Sequence, residues 1–421
     1  MNATTGRLVI VGASLAGLRA AEALRAGGFT GGLTIVGDEP HLPYDRPPLS
    51  KRILTADPAH DPAPGLTWDN DLPLPDGLDA RWELGRPAVR LDPRGRTVTL
   101  ADGTRLAYDG VLVATGATAR GRPDPDRGVL TLRTRDDALR LRAELRPGRR
   151  LVVVGAGFLG GEIAAAARAR GLAVTLVEAA SLPLERAIGS VPGAFVAELH
   201  RRAGIDLRTG TTVTDFLFAH GRRLSGVRLS DGTETPADVA VQALGAAPAT
   251  AWLAGSGIDI GDGVRCDVHL RALAPDGTVV PGVVAAGDVA RVPHRLAGGT
   301  SIVLGHWTNA AEQGAVAAHT LLRPDEPRPF TGVPGFWSDL HGARIRSVGL
   351  PALADEVRVH EHDLPGRHLE VSYHRDGGLV GALTVGRTGR LVPYRRRLET
   401  ASRDPASSAA HGHARPARVR S

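Results

Sequence analysis

Two short apolar runs, each broken by glycine and continued by an alanine-rich stretch, dominate the hydrophobic pattern of the chain. Residues 7–28 read RLVIVGASLAGLRAAEALRAGG, and residues 150–171 read RLVVVGAGFLGGEIAAAARARG. In each copy four consecutive aliphatic residues (8–11 and 151–154) predict a strand buried on both faces. The Ala- and Leu-rich stretch that follows predicts a helix, and a second apolar run (33–36 and 174–177) predicts a returning strand. The chain therefore carries two βαβ units, and such crossovers are right-handed.

Further strands are expected at 98–100, 111–114, 227–229, 239–243 and 283–286, with hairpin turns at Asp102-Gly103 and Asp231-Gly232. Residues 55–79, rich in Pro, Asp and Gly, predict a surface loop with little regular structure. Past residue 401 the chain turns to Ser, Ala, His, Arg and Pro without periodicity, which predicts a disordered basic tail over 401–421.

A length of 421 residues suits two or three domains, and 42% hydrophobic with 23% charged residues is the balance of a soluble globular protein. The single cysteine, Cys266, excludes an internal disulfide and a thiolate metal cluster, and is expected to be a packing residue. No histidine grouping completes a metal site, so none is expected. The formal net charge is +6, but residues 395–421 hold seven arginines against Glu399 and Asp404, so nearly all of the surplus lies at one end. A nucleic-acid footprint is not expected from a nearly neutral body without interleaved aromatics. No apolar run is long enough for a bilayer and no signal-peptide pattern opens the chain, so a cytoplasmic location without membrane contact is expected.

The glycines carry the first chemistry. In a dinucleotide-binding βαβ unit the first glycine makes the tight turn, the second lets the backbone approach a pyrophosphate, and the third lets helix and strand pack closely. The second copy has all three, Gly155, Gly157 and Gly160, with Glu178 ending the next strand where a ribose diol would sit. The first copy has Gly12 and Gly17 with Ser14 between, and Asp38 or Glu39 as the ribose acid. Two such units imply two dinucleotides.

Three more stretches, YDRPPLSK (44–51), ATG (114–116) and AAGD (285–288), stand in the order found in two-dinucleotide flavoprotein reductases. With FWSD (336–339), residues 7 to about 398 resemble the putidaredoxin reductase family, the ferredoxin reductases serving bacterial haem monooxygenases and Rieske ring-hydroxylating dioxygenases. The resemblance implies an α/β fold with two Rossmann-like units, glutathione-reductase-like but lacking a redox disulfide, plus a C-terminal α+β domain. It implies a discontinuous FAD domain (1–115 and 246–328), an NAD domain (116–245) and a C-terminal reductase domain (329–400).

FAD would lie against Gly12, Ser14, Ala16 and Gly17, with Asp38 or Glu39 at the ribose, and Arg46, Lys51, Ala88, Ala114, Thr115 and Gly116 around it. Arg120, Arg133, Asp288 and Trp307 would complete that site, with Ala88 at the adenine and Lys51 beside the isoalloxazine. Nicotinamide dinucleotide would meet Gly155, Gly157, Phe158, Gly160, Glu162, Glu178, Arg186 and Gly245. Lys51 and Glu162 would pair at the reaction centre. Glu178 favours NADH over NADPH, although Arg186 nearby could accept a 2'-phosphate. The family's partner is an iron-sulfur ferredoxin, bound transiently by a monomer or homodimer, with an oxygenase served indirectly. Rubredoxin or a quinone as acceptor, or a non-enzymatic NADH-sensing role, are the alternatives. Two departures stand out: His306 precedes Trp307 where an acid or Ser is usual, and Ala249 follows Pro248 where Asn is usual.

Lys51 is also singular in its own right. The chain holds 51 basic side chains, and every one but Lys51 is arginine. A lysine kept against so strong a bias marks a place where a compact point charge is needed and a wide guanidinium is not.

Overall fold

The computed structural model describes residues 5–55, 70–219 and 222–403. The first glycine unit forms as expected: strand Arg7–Val11, helix Leu15–Ala26, strand Gly32–Val36, with the two strands parallel and in register. They lie in a six-stranded sheet ordered Arg271–Leu273, Val279–Ala285, Gly110–Val113, Arg7–Val11, Gly32–Val36, Arg81–Glu83. Strands from before and after the second glycine unit thus share one sheet. Its core is built from side chains such as Ile10, Leu18, Ile35 and Leu112, all inaccessible to solvent. Helix Trp307–Leu322 packs along Leu15–Ala26 so closely that a Cβ on Gly314 would collide with the Ala16 carbonyl oxygen.

The second unit builds a five-stranded parallel sheet ordered Asp206–Thr209, Ala173–Glu178, Arg150–Val154, Val239–Gln242, Val129–Leu130. Helix Phe158–Ala169 packs on it. The chain passes between the two sheets through an antiparallel ribbon, Ala117–Ala119 paired with Ala246–Pro248. The C-terminal part is a five-stranded antiparallel sheet ordered Gly335–Leu340, Ala343–Gly349, Gly378–Val385, His368–Arg375, Glu356–Asp363. Helix Leu391–Arg403 covers it, running three residues past the predicted domain end at 400. The arrangement is the two-Rossmann α/β fold with a C-terminal α+β domain.

Both predicted hairpins form. Asp102-Gly103 joins Thr97–Leu100 to Arg105–Ala107, and Asp231-Gly232 joins Arg223–Leu229 to Glu234–Pro236. Three predicted strands ran one residue long: Ala286 lies just past Val279–Ala285, and Ala114 and Ala243 lie just past the ends of theirs. The Ala114 and Ala243 carbonyls abut Gly12 and Gly155, where any Cβ would collide with them. Cys266 is buried in the first core and burial pushes its thiol pKa well up, so it is inert packing. Most of the predicted 55–79 loop (56–69) and the predicted tail from residue 404 lie outside the described residues. Among the described residues no helix is long and apolar enough to cross a membrane.

Candidate functional site

The ends of both glycine units and one edge of the C-terminal sheet open onto a single cavity of about 660 Å³. Its walls include Gly12, Ser14 and Ala16 from the first turn, and Phe158 and Glu162 from the second unit. Asp38, Glu39, Arg46, Lys51, Ala88, Ala114, Thr115, Gly116, Arg133, Asp288 and Trp307 line it too.

The local backbone explains both turns. Gly12 and Gly155 sit at φ +130° and +102°, a region that favours glycine. Gly17 and Gly160 lie where a Cβ would strike the carbonyl oxygens of Gly12 and Gly155, so each helix rides directly on its turn. Gly157 differs: a Cβ there would meet nothing within 4 Å, which leaves open space over the helix N-terminus. Such an N-terminus, with its unpaired amides, is suited to a pyrophosphate. Glu178 closes the second turn from the side, accepting from the Ala156 amide (2.7 Å) and the Ala180 amide (2.9 Å).

The centre of the site is a carboxylate shared by three parts of the chain. Glu162 is buried at 6% side-chain exposure, and its Oε2 accepts from Lys51 Nζ at 2.8 Å. The Ser50 hydroxyl donates to the same oxygen, and Ser338 Oγ, wholly buried, donates to Oε1 at 2.6 Å. Lys51 Nζ also donates to the Pro47 carbonyl at 3.2 Å, fixing the ammonium on its short turn. Beside this cluster Phe158 packs on Phe336 with centroids 4.7 Å apart, and His306 packs on the same ring at 5.4 Å. Burial lowers the His306 pKa, with Asp288 opposing, so its imidazole is neutral near pH 7.

At the other end, Arg133 bridges to Asp288 at 2.8 Å and donates to the Ala117 carbonyl. Trp307 Nε1 donates to Asp45 at 2.7 Å, which orients the indole at the start of its helix. Of the two candidate ribose acids, Glu39 is committed: it accepts from Tyr44 (2.6 Å) and Arg46 (2.7 Å). Asp38 accepts from the neighbouring Glu39 amide at 3.0 Å and from no side chain among the described residues, which leaves its carboxylate the better placed of the two. Arg120 is exposed just past the crossing ribbon, with its Nε donating to the Ala246 carbonyl, and does not line this cavity. Gly245 turns that ribbon at φ +85°, and Arg186 is exposed and apart from the cavity.

Several participants escaped sequence reasoning. Ser50 and Ser338 stand inside quoted motifs, but nothing in their spacing says that both point at Glu162. Tyr44 lies between two guanidiniums, Arg46 at 5.0 Å and Arg135 at 4.4 Å from its ring centroid. Behind Glu162, His200 Nδ1 contacts His341 Nε2 at 3.0 Å, and a Cβ on Gly161 would touch the His200 ring. Burial is the main cause that holds His200 down to about 3 and His341 down to about 4. An unfolded chain gains protons at both near pH 6.5 while the fold does not, so stability is present above that pH and lost as pH falls. For His200 alone the loss at pH 5 is about 2 kcal/mol. Melting curves from pH 7 to 5 should therefore steepen their decline in the wild type and flatten in His200→Gln; parallel slopes would remove this pair from the acid response.

Donors, acids and apolar walls of this kind fit FAD along the first turn and a nicotinamide dinucleotide along the second. Residues 6–314 match the pyridine nucleotide-disulphide oxidoreductase family and residues 335–415 match the reductase C-terminal family. The chain belongs to the first of these, and is an FAD-dependent oxidoreductase using a pyridine nucleotide. Although the family name refers to a disulphide, the one cysteine here is remote from the site.

Particular relatives narrow the class. The ferredoxin-NAD(+) reductase component of the p-cumate 2,3-dioxygenase system of Pseudomonas putida is 36% identical over 366 residues, 86% of each chain. Rhodocoxin reductase of Rhodococcus erythropolis is 37% identical, covering 83% of this chain and 79% of its own. Among solved structures, the covalent putidaredoxin reductase-putidaredoxin complex superposes with a TM-score of 0.85 at 30% identity, covering 95% of this chain and 96% of that one.

Proposed function

We propose that the chain is an NADH-dependent ferredoxin reductase: it takes hydride from NADH to FAD and passes electrons one at a time to an iron-sulfur ferredoxin that feeds an oxygenase. The observation that carries this reading is the Lys51–Glu162 contact, where both glycine units meet in one cavity. FAD would be held by residues 1–115 and 246–328, the nicotinamide dinucleotide by 116–245, and residues 329–400 would cap the junction. Bound flavin supplies the chemistry, accepting a hydride and releasing electrons singly.

The residues do the rest. Lys51 holds a positive charge at the meeting point, and Glu162 neutralises it while Ser50 donates to the same carboxylate oxygen and Ser338 to the other. Phe158, Phe336 and His306 shield that point from water. With no second thiol in the chain, electrons leave without a protein dithiol relay. A groove of about 400 Å³ shares Phe336 and Trp337 with the cavity and is rimmed by Arg346, Arg395 and Arg396, with Glu399 the one acid among them. A basic rim there suits transient docking of an acidic carrier. NADH as donor favours a cytoplasmic enzyme, acting as monomer or homodimer.

The test uses the purified yellow protein: NADH should bleach it, and reduction of a [2Fe–2S] ferredoxin should outpace that of rubredoxin or a quinone. Equal or faster turnover with those acceptors would reverse the assignment, and slow turnover with every carrier plus NADH-induced dimerisation would favour the sensing role.

Coenzyme choice gives a separate prediction. Glu178 presents a carboxylate where a 2'-phosphate would have to sit, so NADH should be preferred. In Glu178→Gln the ratio of kcat/KM for NADH over NADPH should fall about tenfold, as expected for loss of one charge repulsion. An unchanged ratio would place the discrimination elsewhere, with Arg186 the first candidate.

A further inference from the structure

The segment that departs from its family at Ala249 is clasped to the ATG turn. Thr115 Oγ1 donates to the Ala249 carbonyl at 2.9 Å, and the Ala249 amide donates to the Gly116 carbonyl. This clasp sets the short turn Ala251–Leu253 against strand Ala88–Asp92. At its middle is Trp252, a wall of the large cavity together with Pro87 and Ala88.

These residues lie away from the Lys51–Glu162 centre. The chain reaches Pro87 directly after Arg81–Glu83, the edge strand beside Gly32–Val36, whose end carries Asp38. A dinucleotide whose pyrophosphate crosses the Gly12–Ala16 turn and whose ribose meets Asp38 therefore ends, on its purine side, near this wall.

Trp252 packs partly against the first core, but that apolar contact does not call for an indole. Its Nε1 is covered yet has no hydrogen-bond partner among the described residues, although a buried indole N–H normally finds an acceptor. The ring is not held by a polar contact, so what it offers is a flat aromatic surface. We propose that Trp252 is a specificity-determining residue for the dinucleotide in the first unit, contributing an aromatic platform for the adenine and thereby favouring FAD over FMN. Stacking of a purine on an aromatic side chain is tolerant of ring orientation and strong enough to matter. Smaller or aliphatic residues at this position could fill the volume without supplying a π-face.

The inference rests on the flavin assignment above, and the experiment separates the two. FAD is stripped from the holoprotein, and the apoprotein is titrated with FAD and, separately, with FMN, following flavin fluorescence. Wild-type apoprotein that binds no FAD would defeat the flavin assignment itself. With that binding in place, Trp252→Leu should weaken FAD about tenfold or more, leave FMN within twofold, and leave the apoprotein melting temperature near wild type. Trp252→Phe should recover most of the FAD affinity. FAD binding unchanged in Trp252→Leu, FAD and FMN weakened alike, or no recovery by phenylalanine would each overturn the platform role.

Discussion

Replacing Lys51 by arginine is expected to slow flavin reduction by NADH on the order of a hundredfold, with FAD still bound. The charge is conserved in this variant, so the effect isolates shape. Lys51 Nζ occupies a narrow seat between Glu162 Oε2 at 2.8 Å and the Pro47 carbonyl at 3.2 Å, with 22% of the side chain exposed. A guanidinium is planar and wider, and to keep the same carboxylate it must displace either the Ser50 hydroxyl or whatever stacks in the cavity. Anaerobic stopped-flow bleaching measures the step directly, and the flavin absorbance of the resting enzyme reports retention. Reduction within threefold of wild type would show that charge alone suffices.

The second large effect concerns the turn of the second unit, where two glycines three positions apart act for different reasons. Gly157→Ala adds a methyl group into open space, so the melting temperature should hold while KM for NADH rises at least tenfold through collision with the bound pyrophosphate. Gly160→Ala puts its methyl group into the Gly155 carbonyl, forcing helix Phe158–Ala169 off its strand. That variant should lose stability by about 1–3 kcal/mol and lose NADH reduction together, because Glu162 rides on the displaced helix. FAD content should be wild type in both. A normal KM in Gly157→Ala would mean that the pyrophosphate does not lie over this turn.

How much of this could be read from the chain depended on whether the determinant was local. The βαβ units were legible because four buried aliphatic residues, a glycine turn and an alanine-rich helix are contiguous. Hairpins at Asp-Gly were legible for the same reason. The Lys51–Glu162 contact came from family resemblance, since its partners lie 111 positions apart and no periodicity links them. Ser338, 176 positions from Glu162, had no signal beyond its motif, and the engagement of Glu39 by Arg46 and Tyr44 depends on how the 44–51 turn folds back. The direction of Arg120 had no local signal either, because a charged residue past ATG can point to either side of a ribbon; in the fold it is exposed with its Nε on the Ala246 carbonyl.

The carboxylate held by Ser50, Lys51 and Ser338 makes the reaction centre a mechanical keystone as well as a chemical one. Swinging the second unit away to release spent coenzyme would tear all of those bonds at once and strand an ammonium without its counter-ion. Coenzyme exchange should therefore proceed by sliding along a rigid slot rather than by hinge opening, and crystals of the enzyme should tolerate soaking with NAD+ without cracking.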